Sequence, residues 1–134
     1  MLKILLVEDS KSAQLKIHSI LSEYGKCDQA YNGHEGVEMY TDSLQTDTAY
    51  DLIVMDVVMP QMDGFAAVKE IKRIQEKQSV PDEERPEIIM LTSRADPEYM
   101  MKAHFELGVT TYVTKPFEDR TLIEALGNLG LIEN

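Results

Sequence analysis

Leu52-Ile53-Val54-Met55 runs without interruption into Asp56. A short unbroken apolar stretch of this kind predicts a strand buried on both faces, as in parallel sheets covered by helices. Three further runs repeat the pattern: Ile4-Leu5-Leu6-Val7 into Glu8-Asp9, Ile88-Ile89-Met90-Leu91 into Thr92, and Tyr112-Val113-Thr114 into Lys115-Pro116. In open α/β sheets, ligands bind outside the carboxyl ends of the strands, so the residues just past these four runs converge on one crevice. Three acids, a hydroxyl and a lysine then share a pocket, a combination suited to an aspartyl phosphorylation site with a bound cation.

Between the runs lie helical patterns. Ala13, Ile17, Ile20, Leu21 and Tyr24 fall at helical spacing, with Gly25 expected as the left-handed residue that ends the helix. A short strand near 26–31, containing Cys27 as a small buried residue, leads through Asn32-Gly33 to a helix carrying Val37, Met39 and Tyr40; the polar stretch 41–48 reads as a loop or frayed helix end. Asp63-Gly64 opens a helix with the stripe Phe65, Val68, Ile71 and Ile74, and 75–86 reads as a long surface loop. Helices over about 97–107, ending at Gly108, and about 118–129 complete a (βα)5 series. Strict alternation implies right-handed crossovers and a doubly wound, five-stranded parallel sheet. The flavodoxin-like strand order 2-1-3-4-5 would bring Glu8-Asp9 beside Asp56.

At 134 residues and 43% hydrophobic content, the chain suits a single domain over 1–134. Thirteen basic against twenty-four acidic residues give a net charge of −11, which disfavours direct contact with nucleic acid or an anionic membrane. One cysteine permits no internal disulfide, and no apolar run approaches a signal-peptide core or a membrane span. A cytoplasmic protein with a protein partner is expected. Three carboxylates in one crevice call for a cation. Oxygen-only ligands suit Mg²⁺, whereas His18, His34 and His104 are scattered and offer no zinc spacing.

Glu8-Asp9, Asp56-Val57-Val58-Met59-Pro60-Gln61-Met62-Asp63-Gly64, Thr92-Ser93 and Tyr112-Val113-Thr114-Lys115-Pro116-Phe117 together resemble the CheY-like receiver domain of two-component response regulators, over essentially the whole chain and in the right order. The resemblance implies that Asp56 accepts a phosphoryl group from a sensor histidine kinase or phosphotransfer protein. It implies Mg²⁺ held by Glu8, Asp9, Asp56 and the main-chain carbonyl of Val58, with Glu8 acting directly or through water. Lys115 and Thr92 would meet the phosphoryl oxygens, and Lys115-Pro116 resembles the family's cis peptide. Thr92 and Tyr112 would form the switch, with Met101, Phe105 and Tyr112 as the partner surface on helix 4, strand 5 and helix 5. On helix 4, Asp96, Met100, Ala103, His104 and Leu107 fall on one side, and Glu98, Met101, Lys102 and Phe105 on the other. Val58 and Arg94 occupy positions that tune dephosphorylation in this family, and Val58 brings no hydrogen bond to place a water, which implies slow self-hydrolysis.

Such a protein is a phosphoacceptor that catalyses its own phosphoryl transfer and dephosphorylation rather than an enzyme acting on other substrates. A haloacid dehalogenase-type hydrolase would need a second aspartate where Val58 stands. A flavin or dinucleotide binder would need a Gly- or Ser/Thr-rich loop where Glu8-Asp9 would repel phosphate. Met1 just before the first strand suits a free-standing domain. The alternative is the receiver part of a longer regulator with a DNA-binding or enzymatic output.

Overall fold

The computed structural model describes residues 1–46, 48–93, 97–109 and 111–133, without the Tyr99 side chain. Five strands, β1 (Leu2–Val7), β2 (Gly25–Ala30), β3 (Leu52–Asp56), β4 (Glu87–Thr92) and β5 (Thr111–Thr114), alternate with five helices, α1 (Lys11–Leu21), α2 (Gly33–Ser43), α3 (Gly64–Lys77), α4 (Pro97–Leu107) and α5 (Asp119–Asn128). The sheet is parallel in the order β2-β1-β3-β4-β5, as the sequence predicts.

Each apolar run serves two cores because successive side chains leave a strand on opposite faces. Leu5, Val7, Ile53, Met55, Ile88 and Met90 pack beneath α2, α3 and α4, with Tyr40, Val68, Ile71 and Ala103. Ile4, Leu6, Leu52, Val54, Ile89 and Leu91 pack beneath α1 and α5, with Ile17, Leu21, Leu122 and Leu126. Truncating one such residue, Leu6→Ala for instance, should cost about 2–5 kcal/mol. Among the described residues, three helices begin on side-chain caps: Ser10 Oγ accepts from Ala13 N–H (3.4 Å), Asn32 Oδ1 from Glu35 N–H (2.8 Å) and Asp63 Oδ1 from Ala66 N–H (2.8 Å). Such caps are worth about 1 kcal/mol each, and that of Ser10 starts α1 close behind the end of β1 at Val7.

Three local expectations change. Gly25 is not a left-handed helix end: Ser22 closes α1 in a right-handed conformation, and Gly25 is the first residue of β2. A Cβ there would lie 2.2 Å from the Leu2 carbonyl oxygen, so the glycine serves the close approach of β1. The segment 75–86 is not all surface loop, because α3 continues to Lys77 and Gln75 is buried, its Nε2 3.1 Å from Tyr40 Oη. Residues 76–79 and 81–84 are exposed around a 3-10 turn at Asp82–Glu84, at the rim where the strands begin, whereas Pro86 is buried. Likewise, α2 carries through buried Ser43, whose hydroxyl donates to the Tyr40 carbonyl (2.5 Å). Cys27 is half-buried in β2, and desolvation, aided by the Asp28 charge, pushes its thiol up to about 12.

Candidate functional site

The ladder bonds end at one rim and leave the expected residues there. Asp56 is the last residue of β3 and Thr92 the last of β4, while Glu8 directly follows β1 and Lys115 directly follows β5. Main-chain bonds carry the sheet slightly further: Glu8 N–H donates to the Ala30 carbonyl (3.1 Å), Val57 N–H to that of Leu91 (2.9 Å) and Lys115 N–H to that of Thr92 (2.7 Å). Gly64 fits against this rim because a Cβ would lie 2.3 Å from the Asp56 carbonyl oxygen. The Lys115–Pro116 bond is cis.

Glu8, Asp56 and Thr92 are buried, and Asp9 is exposed at the mouth. Carboxylate oxygens of Glu8, Asp9 and Asp56 lie within 4.8 Å of one another. The Lys115 ammonium reaches between two of them, 2.5 Å from Glu8 Oε1 and 3.1 Å from Asp56 Oδ1. Ser10 N–H donates to the other Glu8 oxygen (3.2 Å).

These contacts decide which acid keeps its charge. Burial pushes the Glu8 carboxyl up, but hydrogen bonds from Lys115, Asp56 and Ser10 N–H outweigh it and hold Glu8 below the usual carboxylate range. Burial, followed by the hydrogen bond with Glu8 and the Glu8 charge, lifts Asp56 to about 7, and the Lys115 ammonium only partly offsets this. Asp9 is raised by partial desolvation and by Glu8. For Lys115, burial favours the neutral amine, yet the two acids keep the ammonium and raise its pKa. A cluster that holds a proton on Asp56 near neutrality has more negative charge than one ammonium balances. With its oxygen-only donors it fits a hard divalent cation.

Val58 is exposed just beyond β3. Arg94 and Asp96, expected near the site and on α4, lie outside the described residues. On α4, Ala103 and Leu107 are buried and Met100 is half-buried, while His104, on the same side by spacing, is exposed. Met101 and Phe105 are 57% and 75% exposed, so both stand outside the core on the outer side of α4. The Tyr112 hydroxyl lies 3.0 Å from the Met100 carbonyl and 2.7 Å from that of Val109, so the tyrosine is tied to the α4–β5 junction. Gln14, which no motif marks in the sequence, is buried on α1, and its side-chain amide donates to the Glu8 carbonyl.

The pattern of the family described as response regulator receiver domain matches residues 4–127. The chain is 36% identical over 128 residues to chemotaxis protein CheY of Halobacterium salinarum, covering 95% of each. It is 34% identical to the uncharacterized transcriptional regulatory protein YclJ of Bacillus subtilis, covering 91% of this chain and 48% of that protein. Among solved structures, chemotaxis response regulator CheY4 of Vibrio cholerae superposes with a TM-score of 0.77 at 30% identity, covering 96% of this chain and 98% of that one.

Proposed function

The chain belongs to the response regulator receiver family of two-component signalling, and we propose that it is a switch set by phosphorylation of Asp56. The observation that carries this reading is the place of Asp56 at the end of β3, beside Glu8 and within 3.1 Å of the Lys115 ammonium. An Asp56 carboxylate oxygen attacks the phosphorus of a phosphohistidine on a sensor histidine kinase or phosphotransfer protein. The new O–P bond forms as the P–N bond breaks and its electron pair leaves with the imidazole. Negative charge spreads over the three equatorial oxygens of the transferring group, so fixed positive charge and donors aimed at them lower the barrier. Lys115 pairs with one oxygen and the Thr92 hydroxyl donates to another. Mg²⁺ held by Glu8, Asp9, Asp56 and the Val58 carbonyl would supply the remaining charge neutralisation. Val58 offers no polar side chain to orient an attacking water, which favours a long-lived phosphoaspartate.

The output runs through Thr92 and Tyr112 to Met101, Phe105 and Tyr112 on the α4–β5–α5 face, where a downstream protein docks. The unit acts over 1–134 in the cytoplasm; no described helix is long and apolar enough to cross a membrane. A second reading, the receiver part of a longer regulator, is favoured by the match to about half of YclJ. With a small phosphodonor and Mg²⁺, intact mass should rise by one phosphoryl group in the wild type and stay unchanged in Asp56→Asn. A labelled variant would move the nucleophile elsewhere.

A further inference from the structure

The paired register of β1 and β2 ends at Val7 and Ala30, and the Glu8 N–H adds one bond to the Ala30 carbonyl. In a parallel ladder the following bond would bring the N–H of residue 32 onto the Glu8 carbonyl. Asn32 has by then become the N-cap of α2. The carbonyl of a buried glutamate still requires a donor, and Gln14 supplies it. Gln14 Nε2 donates to the Glu8 carbonyl (3.0 Å) and to the Ala30 carbonyl (2.7 Å). Its Oε1 accepts from Gln29 Nε2 (3.1 Å), which settles the end of the amide that faces the two carbonyls. The residue is 1% exposed.

We propose that Gln14 is a positioning residue for the acid pair: its amide fixes the peptide that joins Glu8 to Asp9 and thereby sets the cation affinity of the Glu8–Asp9–Asp56 cluster. The Glu8 carbonyl belongs to that peptide, so a clamp on it acts on both side chains at once. Glu8 projects inward and Asp9 to the mouth from a segment that otherwise leaves the sheet. A small hard cation demands near-ideal ligand geometry, and groups that orient ligands commonly change metal affinity by about 10- to 100-fold. Gln14 does not touch the reacting atoms; it acts through the main chain of the ligands. The proposal rests on the reading of the acid cluster as a cation site.

The test is calorimetric titration with Mg²⁺ at fixed pH, paired with urea unfolding of each sample. Gln14→Met keeps the bulk of the side chain and removes its donors and acceptor; Mg²⁺ binding should weaken by about 10-fold or more. Leu21→Ala removes core packing from the same helix. It should lower stability while leaving Mg²⁺ affinity within about twofold of wild type, as expected for an uncoupled site. Gln29→Met frees only the far end of the amide and should weaken binding by about 10-fold, the low end of that range, which keeps the idea testable if Gln14→Met does not fold. In metal-free protein, Gln14→Met should also speed amide exchange at Ser10, whose N–H is held by Glu8, relative to Ile4 and Leu6. Wild-type Mg²⁺ affinity in folded Gln14→Met, or in Gln29→Met if the former is unfolded, overturns the proposal. So does a Leu21→Ala loss as large as that of Gln14→Met. A wild-type chain that takes up no Mg²⁺ refutes the cation site itself.

Discussion

Replacing Asp56 by asparagine should stabilise the metal-free protein, even though it removes a side chain paired to Lys115. The magnitude follows from the balance at the rim. A carboxyl lifted from 3.8 to about 7 binds its proton about 3 pH units more firmly in the folded chain, roughly 4 kcal/mol in favour of the neutral form. Relaxation of the site reduces such figures, so about 2–4 kcal/mol is expected near pH 8. The sign is set by the raised value: the stability attached to protonated Asp56 is fully present below about pH 4 and is lost as pH rises towards about 7. Asparagine keeps the neutral form at every pH. Urea unfolding in EDTA should therefore give a midpoint about 1–2 M higher for Asp56→Asn than for wild type near pH 8, with the two converging near pH 4. Midpoints that stay together between those limits would refute the reasoning. A wild type that gains on the variant as pH rises would show instead that the 3.1 Å contact with Lys115 outweighs burial and the Glu8 charge.

Asp9→Asn should weaken Mg²⁺ binding by about 10-fold or more in a calorimetric titration, since it removes a ligand and part of the field holding the ion; unchanged affinity would sink the cation site. Lys115→Met leaves buried Glu8 without its ammonium, so urea unfolding in EDTA near pH 8 should show a loss of about 2–4 kcal/mol, partly restored by Mg²⁺. Gly64→Ala places a methyl against the Asp56 carbonyl and should cost about 1–3 kcal/mol by urea unfolding while slowing phosphorylation in the mass assay. Thr92→Ala should still take a phosphoryl group on Asp56 but lose most of the change in partner affinity on adding beryllofluoride; a full wild-type difference there would break the proposed route to the surface.

The sheet was legible because parallel strands buried on both faces are unbroken apolar runs. In this chain, Asp56 and Thr92 close two of those runs and Glu8 and Lys115 follow the others, so strand ends and site residues came from one pattern. Gln14 was not legible in that way. It stands three residues before Ile17 and seven before Leu21, a core position of the α1 stripe occupied by a polar side chain, and its partners are main-chain carbonyls that no side-chain pattern announces. Gln75 repeats the case on α3, where its partner is the Tyr40 hydroxyl. Gly25 has two uses that look alike in sequence, a left-handed helix end and a close strand contact, and only the position of Leu2 decides between them. The direction of Tyr112 is similarly hidden, because the Met100 and Val109 carbonyls that hold its hydroxyl carry no sequence identity.

The exposed connection around Asp82–Glu84 leaves the molecule at the rim opposite the acid cluster. Its ends are tied to each other and to α3: Val80 N–H donates to the Gln75 carbonyl (3.0 Å), and the Arg85 guanidinium, from the far side of the turn, donates to the Val80 carbonyl (2.9 Å). Extra chain spliced between Glu83 and Glu84 would begin and end in solvent and need break no strand pairing. Lengthening a connection whose ends already meet costs little closure entropy, about 0.6 kcal/mol per doubling. That turn is therefore a permissive seam of the domain, a place where a fluorescent reporter or an immobilisation tag can be built into the chain while both termini, the rim that carries Asp56 and the α4 face stay as they are.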